Sequence, residues 1–264
     1  FTDAPGDDPI LLLIVKKDLE TGKSQGNARL EGAEYTVKYY DTNMSTDPAE
    51  IGMTAKYTWV LESDTNGRTY LDNTHKVSGD EFVLGLHGRP VLPLGTITIQ
   101  ETKAPEGYEI NPQIYVANTT LQGASSVFTT NLPNTDTYYA TEQVIRGDLE
   151  FLKIDKETGA VMAGIPFRIT SETTGESHVI VTDETGQAST ELANHSWKTN
   201  KNDEVTDESN YSPAFGIWFG ESDPDDTKGA LPYDTYTLEE LPCSANYGKD
   251  LLVLGGIQAV PYTH

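Results

Sequence analysis

Apolar and polar residues alternate over short stretches along this chain and nowhere settle into a helical period. From Thr96 the order Thr, Ile, Thr, Ile, Gln, Glu runs to Glu101 and sets Ile97 and Ile99 on one face of a strand. Tyr35-Thr36-Val37-Lys38-Tyr39 and Phe167-Arg168-Ile169 alternate in the same way. The longest apolar run, Ile10 to Val15, has the length of one buried strand, well short of the roughly 18 residues a membrane span needs. No amphipathic helix with caps stands out; Asp47 to Ala55 offers one short helical turn. Many short strands parted by turn residues predict an all-β fold of sandwich type.

The pattern also occurs twice. Lys16-Lys17-Asp18-Leu19-Glu20-Thr21-Gly22 returns as Lys153-Ile154-Asp155-Lys156-Glu157-Thr158-Gly159, so Lys16 lies over Lys153. Leu30 to Tyr35 matches Met162 to Phe167, and the turn signal Asp64-Thr65-Asn66-Gly67 matches Asp183-Glu184-Thr185-Gly186. In the last block Leu92 to Glu101 lies over Leu231 to Glu240. Four blocks in one order predict two tandem sandwiches, residues 1–145 and 146–264. Leu132 through Glu142 is polar and reads as the linker between them. The second copy carries a long acidic insertion, 194–228, holding Trp197, Tyr211, Trp218 and Phe219. A loop of that length is functional or packs on its own aromatics.

Composition narrows the functions. The 264 residues suit two domains of ordinary size. With 41 acidic against 18 basic residues the net charge is −23, which disfavours nucleic acid and anionic lipid as partners. A single cysteine, Cys243, excludes an intrachain disulfide. So few cysteines fit a cytosolic protein and equally an exported protein of cysteine-poor bacteria. No signal peptide is visible, and the abrupt start at Phe1 reads as a mature fragment. The five histidines lack zinc spacing, and the acidic stretches Asp203 to Asn210 and Asp223 to Asp226 do not match a calcium loop. No P-loop or nucleophile elbow is present, so neither metal nor cofactor is expected. A glycosidase working through paired carboxylates, and a glycan- or host-protein-binding module using the insertion, are the alternative functions.

Lysine at an apolar strand needs a reason. Lys16 follows Leu11 to Val15, and Lys153 follows Phe151-Leu152. Such a lysine can snorkel to solvent. Pointing inward, it would lose its charge to burial and become a nucleophilic amine, while a glutamate buried beside it would stay protonated. That acid can polarise an amide or carboxyl group and shuttle the proton of the amine. Attack on Asn or Asp would then give an intramolecular isopeptide bond.

Lys16-x-Asp18-x-x-Thr21-Gly22, Gly32-Ala33-x-Tyr35 and Glu101-Thr102-Lys103-Ala104-Pro105-Glu106-Gly107-Tyr108 together resemble the B-type repeats of collagen-adhesin stalks and SpaA-type pilins of Gram-positive bacteria. The second half is similar to a variant, with Leu238-Glu239-Glu240-Leu241-Pro242-Cys243 in place of the Ala-Pro-x-Gly-Tyr string. The resemblance implies two immunoglobulin-like or transthyretin-like sandwiches of CnaB type, in a non-enzymatic stalk or adhesive segment. It implies a location on the bacterial surface, with wall anchoring and neighbouring domains supplied by regions outside this chain. It makes Lys16 the nucleophile and Glu101 the catalytic acid, with an acceptor on the last strand: Asn131, or alternatively Asn118. Lys153 and Glu240 take the same roles in the second half, where no last-strand Asn is evident and the final strand is expected to be missing.

Overall fold

The computed structural model describes residues 12–85, 87–119, 138–191 and 198–259. The chain divides into two compact units, one formed by 1–23 with 29–143 and the other by 24–28 with 144–264. Both are built from β-sheet, and the only helices among the described residues are short 3-10 turns, one of them at Pro48–Ile51.

Among the described residues the first unit holds eight strands: β1 Leu12–Asp18, β2 Glu34–Tyr40, β3 Tyr57–Glu62, β4 Arg68–Tyr70, β5 Lys76–Gly79, β6 Gly95–Lys103, β7 Ile114–Thr119 and β8 Tyr138–Glu142. Five form one sheet in the order β5-β3-β2-β6-β7, and three form another in the order β4-β1-β8. Alternation does its work on β2, where Tyr35, Val37 and Tyr39 turn inward to meet Trp59, Leu61, Ile97 and Ile99 in the core. Ile14 on β1 and Ala140 on β8 close that core from the smaller sheet.

β8 corrects the linker expected over Leu132 to Glu142. Tyr138 to Glu142 forms a strand that runs parallel to β1, with Lys16 opposite Ala140 and Asp18 opposite Glu142. Tyr-Tyr-Ala-Thr is good strand sequence, but the Asn, Thr and Asp just before it dilute the signal. The unit boundary follows at Gln143 and Val144.

The second unit contains β9 Arg146–Gly147, β10 Glu150–Leu152, β11 Pro166–Ser171, β12 Ser177–Val181, β13 Gln187–Ser189, β14 Leu231–Pro232, β15 Thr235–Glu240 and β16 Val253–Gln258. Its main sheet runs β12-β11-β15-β16, beside the pairs β10-β13 and β9-β14. Tyr35 stands opposite Glu101 in the first unit, and Phe167 stands opposite Glu240 in the second. The repeated blocks thus occupy repeated positions. Within the insertion, Ile217, Trp218 and Phe219 are buried in the core of this unit. Trp218 donates from Nε1 to the Ser222 carbonyl at 2.7 Å, and the Arg146 guanidinium stacks 4.0 Å from its ring centre. Trp197 lies outside the described residues.

Candidate functional site

On β1 the inward positions are Ile14, Lys16 and Asp18. Asp18 ends the strand, its Oδ1 accepting the backbone N–H groups of Glu20 and Thr21. Asp155 does the same for Glu157 and Thr158 in the second copy. In both copies the glycine of the Asp-x-x-Gly turn folds over the lysine, with Lys16 N–H donating to the Gly67 carbonyl and Lys153 N–H to that of Gly186. The Lys-x-Asp-x-x-Thr-Gly string is therefore a device for ending a strand directly after an inward lysine.

Lys16 is wholly buried. Its Nζ donates to Glu101 Oε1 at 2.8 Å, lies 5.5 Å from the ring centre of Tyr108 and meets the carboxyl of Glu142. Glu101, on β6 between β2 and β7, also accepts the Asn111 N–H on Oε2 at 2.8 Å. Burial pulls the Lys16 pKa down to about 8 against the opposing pull of Glu101. Burial, and then the Glu101 charge, push the Tyr35 hydroxyl well above its usual range. Glu142 is 3% exposed, and among the described residues no group other than Lys16 reaches its carboxyl oxygens. One amine thus sits between two buried carboxyl groups, an arrangement with one negative charge too many for a dry interior.

The candidate acceptors fall elsewhere. Asn118 pairs with Thr96 at the far end of β6, five residues from Glu101, about 17 Å along a strand. Its Oδ1 accepts from Thr96 Oγ1 at 2.9 Å, so it is not brought to Lys16. Asn131 lies outside the described residues. Sequence reasoning passed over Glu142, because an acidic residue in a polar stretch looks like any solvated one; the spacing Ala140-x-Glu142 at the end of a strand-like run was the available signal.

The second unit repeats part of this geometry. Lys153 Nζ donates to Glu240 Oε2 at 2.7 Å, with the Lys153 side chain 15% exposed. Glu240 also takes the Leu252 N–H on Oε2 and the Asn246 Nδ2 on Oε1, at 3.1 and 3.0 Å. Asn246, which no sequence pattern singles out, is buried and fully engaged: Nδ2 also donates to the Leu241 carbonyl, and Oδ1 accepts the Cys243 N–H. It staples the loop after β15. Among the described residues β10 pairs with β13 alone, and no strand lies parallel to it as β8 does to β1. Cys243 is a free, partly buried thiol packed against the core. No helix among the described residues is long and apolar enough to cross a membrane, and no group of His, Cys, Asp or Glu there is placed to hold a metal ion.

Residues 14–133 match the family described as SpaA: Prealbumin-like fold domain, the family whose motifs the first half resembles. Among solved structures the chain is similar to the Bacillus anthracis TIE protein, with 17% identity and a TM-score of 0.47 over 93% of this chain and 31% of that one. It is also similar to a C-terminal fragment of the pilus adhesin SpaC from Lactobacillus rhamnosus GG (13% identity, TM-score 0.41, covering 94% of this chain and 84% of that one). A third is GBS52, the minor pilin of Streptococcus agalactiae, at 13% identity and a TM-score of 0.25, covering 95% and 96%. The chain spans 31% of the TIE protein and 56% of a streptococcal ancillary pilin. No curated protein matches it.

Proposed function

We propose that this chain is a load-bearing segment of a bacterial cell-surface or pilus protein, made of two CnaB-type modules and stiffened by an autocatalytic isopeptide bond in the first. The observation that carries this reading is Lys16, buried against Glu101 in a domain that matches the SpaA family. Burial lowers the Lys16 pKa to about 8 and so raises the share of neutral amine that attack on a carbonyl carbon needs. Glu101, held by the Asn111 N–H, is fixed within reach of that amine to move its proton. The chemistry is done once per molecule, so the chain has no turnover to perform and is not an enzyme in the usual sense. Its place is outside the cell, anchored to the wall through regions outside this chain and joined to neighbouring domains of a longer protein.

In the second unit Lys153 and Glu240 hold the corresponding positions, and the bond there awaits an acceptor. Of the amide candidates for Lys16, Asn118 does not reach it and Asn131 lies outside the described residues. A glycan- or host-protein-binding role for the insertion loses Trp218 and Phe219, which are committed to the core. High-resolution mass measurement on the intact chain tests the proposal. The wild type should be lighter than its sequence mass, and Glu101→Ala should restore the mass missing from the first unit. Full sequence mass in the wild type would sink it.

A further inference from the structure

We infer that the acceptor for Lys16 is Glu142, so that the first unit closes by condensing an amine with a carboxylic acid and releases water rather than ammonia. This rests on the cross-linking function proposed above and specifies its third residue.

Three observations converge on Glu142. The first is placement: β8 runs parallel to β1, with Ala140 opposite Lys16 and the buried Glu142 two positions on, which brings its carboxyl group to Lys16 Nζ. The second is hydrogen bonding. Glu101 has both oxygens occupied, one by Lys16 and one by the Asn111 N–H, and is thereby fixed in orientation. Among the described residues no group other than Lys16 engages either Glu142 oxygen, so the amine is the partner that the carboxyl group faces. The third is charge. Lys16, Glu101 and Glu142 are each at most 3% exposed, and a trio with one cation and two anions is expensive to keep dry. Condensation consumes the amine and one carboxyl group and leaves a neutral amide beside Glu101. The second unit holds the lysine and first glutamate but, among the described residues, puts no second carboxyl group against the lysine; Glu240 instead faces the loop amide of Asn246.

The step balances without any co-reactant. The neutral Lys16 Nζ uses its lone pair to form a C–N bond to Cδ of protonated Glu142. Glu101 takes a proton from the nitrogen and delivers it to the Glu142 hydroxyl. The Cδ–O bond then breaks, and that oxygen leaves as water. No atom is oxidised or reduced. Glu101 ends in the protonation state in which it began, as a proton shuttle must.

Peptide mapping of the full chain by tandem mass spectrometry decides the point, alongside the variants Glu142→Gln, Glu142→Ala and Glu101→Gln. In the wild type, a fragment containing Lys16 should be joined to one containing Glu142, at the sum of their masses less one water. Glu142→Gln presents the same carbon with an amide nitrogen to lose, so it should form the same junction less one ammonia. Glu142→Ala and Glu101→Gln should give separate fragments while circular dichroism still reports a folded β-protein. A junction of Lys16 to a fragment containing Asn131, with ammonia lost, would overturn Glu142 and leave the cross-linking function standing. A junction to Glu101 would likewise overturn the assignment. Absence of any junction to Lys16 in the wild type would remove both the assignment and the function on which it rests.

Discussion

Burying an ionisable side chain changes which charge state the fold prefers, and His178 shows this as clearly as Lys16 does. Its Nδ1 meets Asp203 at 2.6 Å and its Nε2 meets Glu176 at 2.9 Å, while the ring edge packs on Phe219. Burial alone would lower its pKa, but the bonds to the two carboxylates outweigh burial and raise it from 6.5 to about 9. The folded value lies above the unfolded one, so the stabilisation is fully present below pH 6.5 and is lost as pH rises through about 9. Urea unfolding of the second unit should therefore show a fall of roughly 1–3 kcal/mol across that window. His178→Gln should flatten it, and an equally steep fall in that variant would show that other groups cause it. Lys16 was legible at this scale because a lysine interrupting an apolar run breaks a pattern. Glu142 and His178 were not, since one acidic residue in a polar stretch or one isolated histidine breaks none.

Elements were legible in proportion to their alternation. β2, β6, β11 and β15 carry the repeated blocks, and their inward residues make the two cores. β8 was lost to the polar residues before it, although its inward Ala140 and Glu142 follow the same period of two. Turns were legible through their glycines. Gly67 has φ +71°, and a Cβ there would lie 2.7 Å from the Lys16 carbonyl oxygen; Gly186 has φ +78°, with the Lys153 oxygen at 2.9 Å. Gly67→Ala and Gly186→Ala should each cost about 1–3 kcal/mol in denaturant midpoints, from left-handed strain plus backbone crowding. A change under about 0.5 kcal/mol would mean that the turns relax freely. The insertion in the second unit behaves as core: Trp218→Ala should cost about 3–5 kcal/mol of the stability of that unit, because a cavity opens and the Arg146 guanidinium loses its stacking face. Near-wild-type stability in that variant would return the insertion to the class of free binding loops.

For the molecule as a whole, the proposed cross-link would matter through where it lies in the chain. Lys16 sits on the first strand of its unit and Glu142 on the last, and the two strands are parallel neighbours. A bond between them encloses roughly 125 residues, and in the chain-entropy model a loop of that size contributes about 5 kcal/mol by restricting the unfolded state. Glu142→Ala should lower the unfolding free energy of the first unit by at least that much, since it also leaves a buried amine with one partner fewer. The same placement governs the response to force. Tension applied through the two ends of the unit enters on β1 and leaves on β8, so with the proposed bond formed the load would pass through the amide and the enclosed sheets would carry none of it. Pulled singly from its ends, the wild-type first unit should release no length from the segment between Lys16 and Glu142 at any force below covalent rupture. Glu101→Gln, in which the bond does not form, should unfold at ordinary forces for a β-sandwich and release that whole segment. Equal extension in wild type and variant would show that the bond, wherever it forms, does not bridge the first and last strands.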